Sequence, residues 1–103
     1  MPLDLVAAKQ WKTLDGSQPV FSLAETLHAA IFSLATPRKE FPVTMKLKDY
    51  YSDTVLLFGE LARFVHEMHT IASASVDKNA FSGLLSFVEQ AIAGGNNIYV
   101  QSD

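Results

Sequence analysis

Residues 53–93 constrain the fold more than any other part of this chain, because two strongly amphipathic helical patterns follow one another there. The first lies in DTVLLFGELARFVHEMHTIASAS. At 100° per residue, Leu57, Phe58, Leu61, Ala62, Phe64, Val65, Met68, Ile71 and Ala72 cover about half of a helix circumference. A stripe that wide needs two neighbours to bury it, so this helix is expected at the centre of the molecule. The second lies in DKNAFSGLLSFVEQAIAGGNN, where Phe81, Leu84, Leu85, Val88 and Ile92 share one face. Ser75 or Asp77 can cap its start, and Gly94-Gly95 can supply the left-handed residue that ends many helices.

Two more helices are expected upstream. Leu3, Val6, Ala7, Trp11 and Leu14 recur at helical spacing after Pro2, and the turn chemistry of residues 15–19 (DGSQP) closes that element. Ser22 and Glu25 have the spacing of a capping box, ahead of a helix with Leu23, Leu27, Ala30, Ile31 and Leu34 on one face. Thr36-Pro37 stops it. In residues 38–52 Val43, Met45 and Leu47 alternate with Thr44, Lys46 and Lys48, a strand pattern that also fits an extended connection or an irregular lead-in. Residues 96–103 form a short tail that reads as strand, helix or loop. The expected fold is all-α: residues 1–103 as a single-domain, four-helix, bundle-like structure. The alternative is an α+β fold with a short two-stranded element.

Composition narrows the functional classes. A chain of 103 residues with 49% hydrophobic and 18% charged side chains has the make-up of one folded domain. It contains no cysteine, which excludes disulfides, thiolate catalysis and cysteine-ligated metals. No apolar run approaches the roughly 18 residues of a membrane span. Asp4 and the short apolar stretch around it do not make a signal peptide, so a cytoplasmic location is expected. Net charge is −3, unevenly spread. Residues 1–48 hold six Lys/Arg against four Asp/Glu, and residues 49–103 hold two against seven. The acidic second half disfavours nucleic acid, although Arg38, Lys39, Lys46 and Lys48 cluster.

Chemistry-bearing motifs are scarce. His66 and His69 stand three apart on a helix, and His28 could join them from another. The pair lacks the four-residue spacing of a zinc protease and a complete ligand set, so no metal and no cofactor is expected. There is no phosphate-binding glycine loop and no nucleophile elbow, and the helical carboxylates occupy a wet face. An enzyme is not expected.

Surfaces remain. Asp53, Glu60 and Glu67 recur every seven residues, an acidic ridge along the third helix that Asp49 could extend. Such a ridge, with Tyr50 and Tyr51 beside it, suits a basic protein partner. Arg63 lies at pairing distance from both Glu60 and Glu67, as on an ordinary solvated helix face. Phe21, His28 and Phe32, with Glu25, line the other side of the second helix, where they either anchor an interface or are covered by a neighbouring element.

The run from Leu57 to Asn97 resembles a group of small helical bacterial proteins of the immunity type, in which an LFxEL helix precedes an IFxFVE helix and a Gly-Asn or Gly-Asp turn. The matching residues are Leu57, Phe58, Glu60 and Leu61, then Leu84 through Glu89, then Gly95-Asn96. Such proteins tend to continue into another helix, whereas this sequence ends at Asp103. The resemblance implies a non-enzymatic protein that binds and neutralises a toxin from the same locus. With the acidic ridge, it gives the first functional expectation, an inhibitor of a basic toxin domain. The second is a self-associating structural or adaptor domain, a homodimer built on Phe21 and Phe32. No nucleic acid or membrane partner is expected.

Overall fold

The computed structural model describes residues 3–10, 18–34, 41–48, 53–75 and 79–101. Its first element is a strand, β1 (Leu3–Ala8), followed by β2 (Val20–Leu23) and helix α1 (Glu25–Leu34). A short 3₁₀ helix (Thr44–Leu47) leads to β3 (Thr54–Leu56), then α2 (Phe58–Ser73), α3 (Asn79–Ala93) and β4 (Asn97–Gln101). The fold is therefore α+β, and the all-helical bundle expected from periodicity is wrong. The α+β alternative is nearer, but the sheet has four strands, not two. They pair antiparallel throughout in the order β2-β1-β4-β3.

Pleating sorts the strands into two faces. Leu3, Leu5, Ala7, Leu23, Leu56, Ile98 and Val100 point to one side and join a single core with Ile31 of α1, Leu61, Phe64, Met68 and Ile71 of α2, and Phe81, Leu84, Val88 and Ala91 of α3. The three described α-helices thus cover one face of the sheet. On the opposite face the register lines up Val20, Val6, Tyr99 and Val55 as a row crossing all four strands. The centre of that row is closed to solvent, with Val6 8% and neighbouring Ala8 5% exposed, whereas Val20 at the rim is 51% exposed.

The N-terminal segment is a strand where helical spacing predicts a helix, and the reason is physical. LDLVAA is buried on both faces, with only Asp4 half-exposed. A central strand of that kind loses the alternation that marks a half-wet strand, and its apolar run fits helical spacing equally well. Ser22 does not cap a helix. It lies in β2, and its hydroxyl donates to Asp4 Oδ1 across the strand pair at 3.0 Å. The alternating pattern of residues 43–48 is not a strand either. Val43, Thr44 and Leu47 are buried while Lys46 and Lys48 are exposed, the spacing of one tight helical turn.

The two helices read from residues 53–93 are present, with later starts. α2 begins at Phe58 because residues 54–56 are consumed by β3. Its buried face consists of Leu61, Phe64, Glu67, Met68, Ile71 and Ala72, while Leu57, Phe58 and Ala62 lie outside. α3 ends as its glycines suggest. Gly95 has φ +69°, its N–H donates to Ile92 O, and Asn96 N–H donates to Ala91 O, which satisfies the last carbonyls and turns the chain into β4. The expected tail is thus a strand between β1 and β3. Among the described residues no helix is long and apolar enough to cross a membrane.

Candidate functional site

The expected acidic ridge of Asp53, Glu60 and Glu67 along one helix is not formed: Asp53 precedes β3 and lies outside α2, and only Glu60 and Glu67 share a helix face. Glu67 is 1% exposed. Its Oε1 accepts from the Thr44 N–H and the Thr44 hydroxyl, each at 2.8 Å, and its Oε2 accepts from Arg63 Nε at 3.0 Å and the Val43 N–H at 3.4 Å. A charge buried with that many donors is a structural clasp, since a carboxylate in the core needs its lone pairs filled. It fixes residues 43–44 against α2. Arg63 takes part as an i, i+4 partner from the rim.

Glu60 is also engaged. Its Oε1 lies 2.6 Å from Lys46 Nζ and accepts the Leu57 N–H at 3.0 Å. It thereby satisfies a free amide at the start of α2, a position where an N-cap leucine offers no acceptor. Lys46 Nζ donates also to Val55 O at 3.2 Å. His28 completes the set from α1, donating from Nε2 to Leu47 O at 2.7 Å, with its ring tilted against that of Phe32 at 4.7 Å between centres. Side chains of two helices therefore grip the 3₁₀ segment. Glu60 and Glu67 thus face that segment, and Asp53, ahead of β3, stands exposed. Asp49, Tyr50 and Tyr51 lie outside the described residues.

The lysine hydrogen bond holds the Glu60 carboxyl below its ordinary value of 4.5, helped by the Leu57 amide, against a smaller opposing effect of burial. A carboxylate depressed in the folded state adds stability above its unfolded value, and that stability fades as pH falls through the folded one. Both partners are about one-third exposed, 34% and 30%, so solvent screens much of the interaction. Lys46→Met should therefore cost no more than about 1 kcal/mol at neutral pH. The difference from wild type should shrink on acidification below pH 4.5 in urea titrations.

The residues of the alternative aromatic interface are partly engaged within the chain. Phe21 is half-buried, packs on Phe87 at 5.9 Å between ring centres, and sits against Gly83, where an added Cβ would lie 3.3 Å from its ring. His28 and Phe32 are half-buried against the 3₁₀ segment and core. His66 and His69 are exposed on α2, and among the described residues no group of three or more His, Asp or Glu could hold a metal ion.

What the sequence reading passed over is the corner where β3 meets α2. Leu57 is 51% and Phe58 47% exposed, and Val55 and Tyr99 beside them are half-buried. The corner is held rigidly. Asn97 of β4 accepts the Phe58 N–H at 2.7 Å through Oδ1, and its Nδ2 donates to Lys9 O at 3.2 Å. With Glu60 on the Leu57 amide, the first turn of α2 is pinned from both sides. The signal was present in sequence as the Leu57-Phe58 pair, but helical periodicity assigned both to the buried stripe.

No protein family, curated protein or solved structure matches this chain. The fold and this corner define a small α+β domain with three helices on one face of an antiparallel sheet and an exposed apolar pair beside its β3 edge.

Proposed function

We propose that this chain is a non-enzymatic protein-binding domain of the immunity type, neutralising a basic bacterial toxin domain through the corner formed by Val55, Leu57 and Phe58. The observation that carries the reading is the exposure of two adjacent large apolar side chains on a backbone that is already fixed. Exposed apolar groups held in place lose little entropy on binding and are the usual anchors of an interface. The polar groups of α2 that could have served chemistry serve the fold instead, as Glu60 and Glu67 do. A net charge of −3 favours a partner of opposite sign, and exposed Asp53 stands just ahead of β3.

The test is co-expression with the toxin encoded beside the gene for this chain. Wild type should restore growth and form a purifiable complex. Leu57→Ser/Phe58→Ser should fold normally, since both side chains are half in solvent, yet bind at least ~100-fold more weakly. Equal protection by the double variant would remove the corner from the mechanism, and no protection by wild type would remove the immunity reading altogether.

A further inference from the structure

The two edges of the sheet are finished differently. In an antiparallel pair, residues directly opposite alternate between those that exchange hydrogen bonds and those whose N–H and C=O point away from each other. The Ala7 N–H donates to Pro19 O at 3.0 Å, which makes Ala7 and Pro19 a bonded pair. By alternation Leu5–Phe21 and Leu3–Leu23 are bonded pairs too, and the backbone groups of Val20 and Ser22 point outward from β2. The same count on the other side, through β4, turns Val55 O outward from β3. That is the oxygen Lys46 Nζ reaches at 3.2 Å, and the neighbouring Leu57 amide is taken by Glu60.

So the β3 edge is closed by a lysine, a glutamate and the 3₁₀ segment, the devices that keep edge strands from pairing. Among the described residues the β2 edge has none of these. Its sequence is VFSL, uncharged, and Val20 is one of the exposed large hydrophobics. Among the described residues the outward backbone groups of Val20 and Ser22 make no hydrogen bond.

We propose that β2 pairs antiparallel with β2 of a second copy of this chain, giving a continuous eight-stranded sheet with a two-fold axis at Phe21. The pleat permits this register. Val20 and Ser22 share one face, Phe21 and Leu23 the other, so an axis at Phe21 sets Val20 opposite the partner's Ser22 with matching faces. The outward N–H and C=O groups then bond to each other. On the helix-covered face Phe21 meets the partner's Phe21, beneath the flank of α3 that Gly83 keeps flat.

A second copy fits better than a foreign strand for an electrostatic reason. Identical surfaces carry identical charges, so a surface that meets itself must be nearly free of them. Val20, Phe21, Ser22, Gly83 and Phe87 along this strip carry no ionisable side chain, and the neighbouring Asp4 carboxylate is capped by the Ser22 hydroxyl, in a protein of net charge −3. This pairing is independent of the toxin-binding corner, which lies at the other edge.

Light scattering on the full chain, combined with amide exchange, tests it at concentrations up to ~1 mM. The expected mass is twice the 11.3 kDa of the chain, with Val20 and Ser22 amides protected in step with dimer formation. Val20→Lys, at an exposed position that the fold does not need, should halve the mass and release both amides. A monomer at every concentration would overturn the proposal. So would a dimer that Val20→Lys leaves intact, or β2 amides protected only when a different protein is added.

Discussion

A chain ending at Asn96 is expected to lose cooperative folding, although it keeps all three helices. β4 pairs with β1 over five residues and with β3 over three, so its removal leaves β3 without any strand partner. It also takes Ile98 and Val100, 0% and 1% exposed, out of the core, a loss of roughly 1.5–3 kcal/mol for each. Asn97 goes with it, and the Phe58 amide at the start of α2 is left without its acceptor. Losses on that scale are comparable to the whole stability of a small domain, about 5–15 kcal/mol. Circular dichroism melts should show a broad, non-cooperative transition. Ile98→Asp should do nearly the same damage with the length unchanged, because it buries an unpaired carboxylate. A sharp transition in the truncated chain would mean that the helices hold together without the sheet.

Glu67→Ala should be the most damaging single change outside the apolar core, costing about 3–5 kcal/mol. The substitution removes acceptors from the Thr44 amide and hydroxyl and from the Val43 amide, all of which the fold buries. Each such buried donor left empty costs about 1–3 kcal/mol. Arg63, whose side chain is 57% exposed, can turn to water and adds little to the loss. Glu67→Gln keeps one carbonyl oxygen for Thr44 but sets an amide NH₂ among donors, and about half of the penalty should remain. Thr44→Val should cost about 1 kcal/mol, since the main-chain bond survives. Urea denaturation of the three variants separates these cases. A Glu67→Ala variant within 1 kcal/mol of wild type would show that Phe41, Val43 and Leu47 hold the segment unaided.

Both results turn on residues whose roles periodicity could not assign. Glu60 and Glu67 were legible as a line on one helix, and the line is real, but a helical wheel gives direction and not what lies in that direction. The 41–48 segment lies there, brought by a connection of which the sequence shows only an ambiguous alternation. Likewise Leu57 and Phe58 fall within the apolar arc of α2, yet they precede the part of the helix that the core reaches. The strands were the harder loss. β1 is wet at a single position and so lacks the alternation that identifies a half-exposed strand, whereas β4 does alternate, Ile98 and Val100 inward between Asn97, Tyr99 and Gln101, but over only five residues behind a glycine turn.

The sequence by itself determined the two long helices, the glycine stop after α3 and the absence of any cysteine chemistry. These depend on contacts within a few residues, where spacing and local geometry are sufficient. Tertiary structure alone decided that the first and last segments pair at the centre of a sheet, that a glutamate goes inside, and which apolar side chains stay outside. Those outcomes join residues as far apart as Asp4 and Gln101, and the spacing within a segment does not say which distant segment it pairs with.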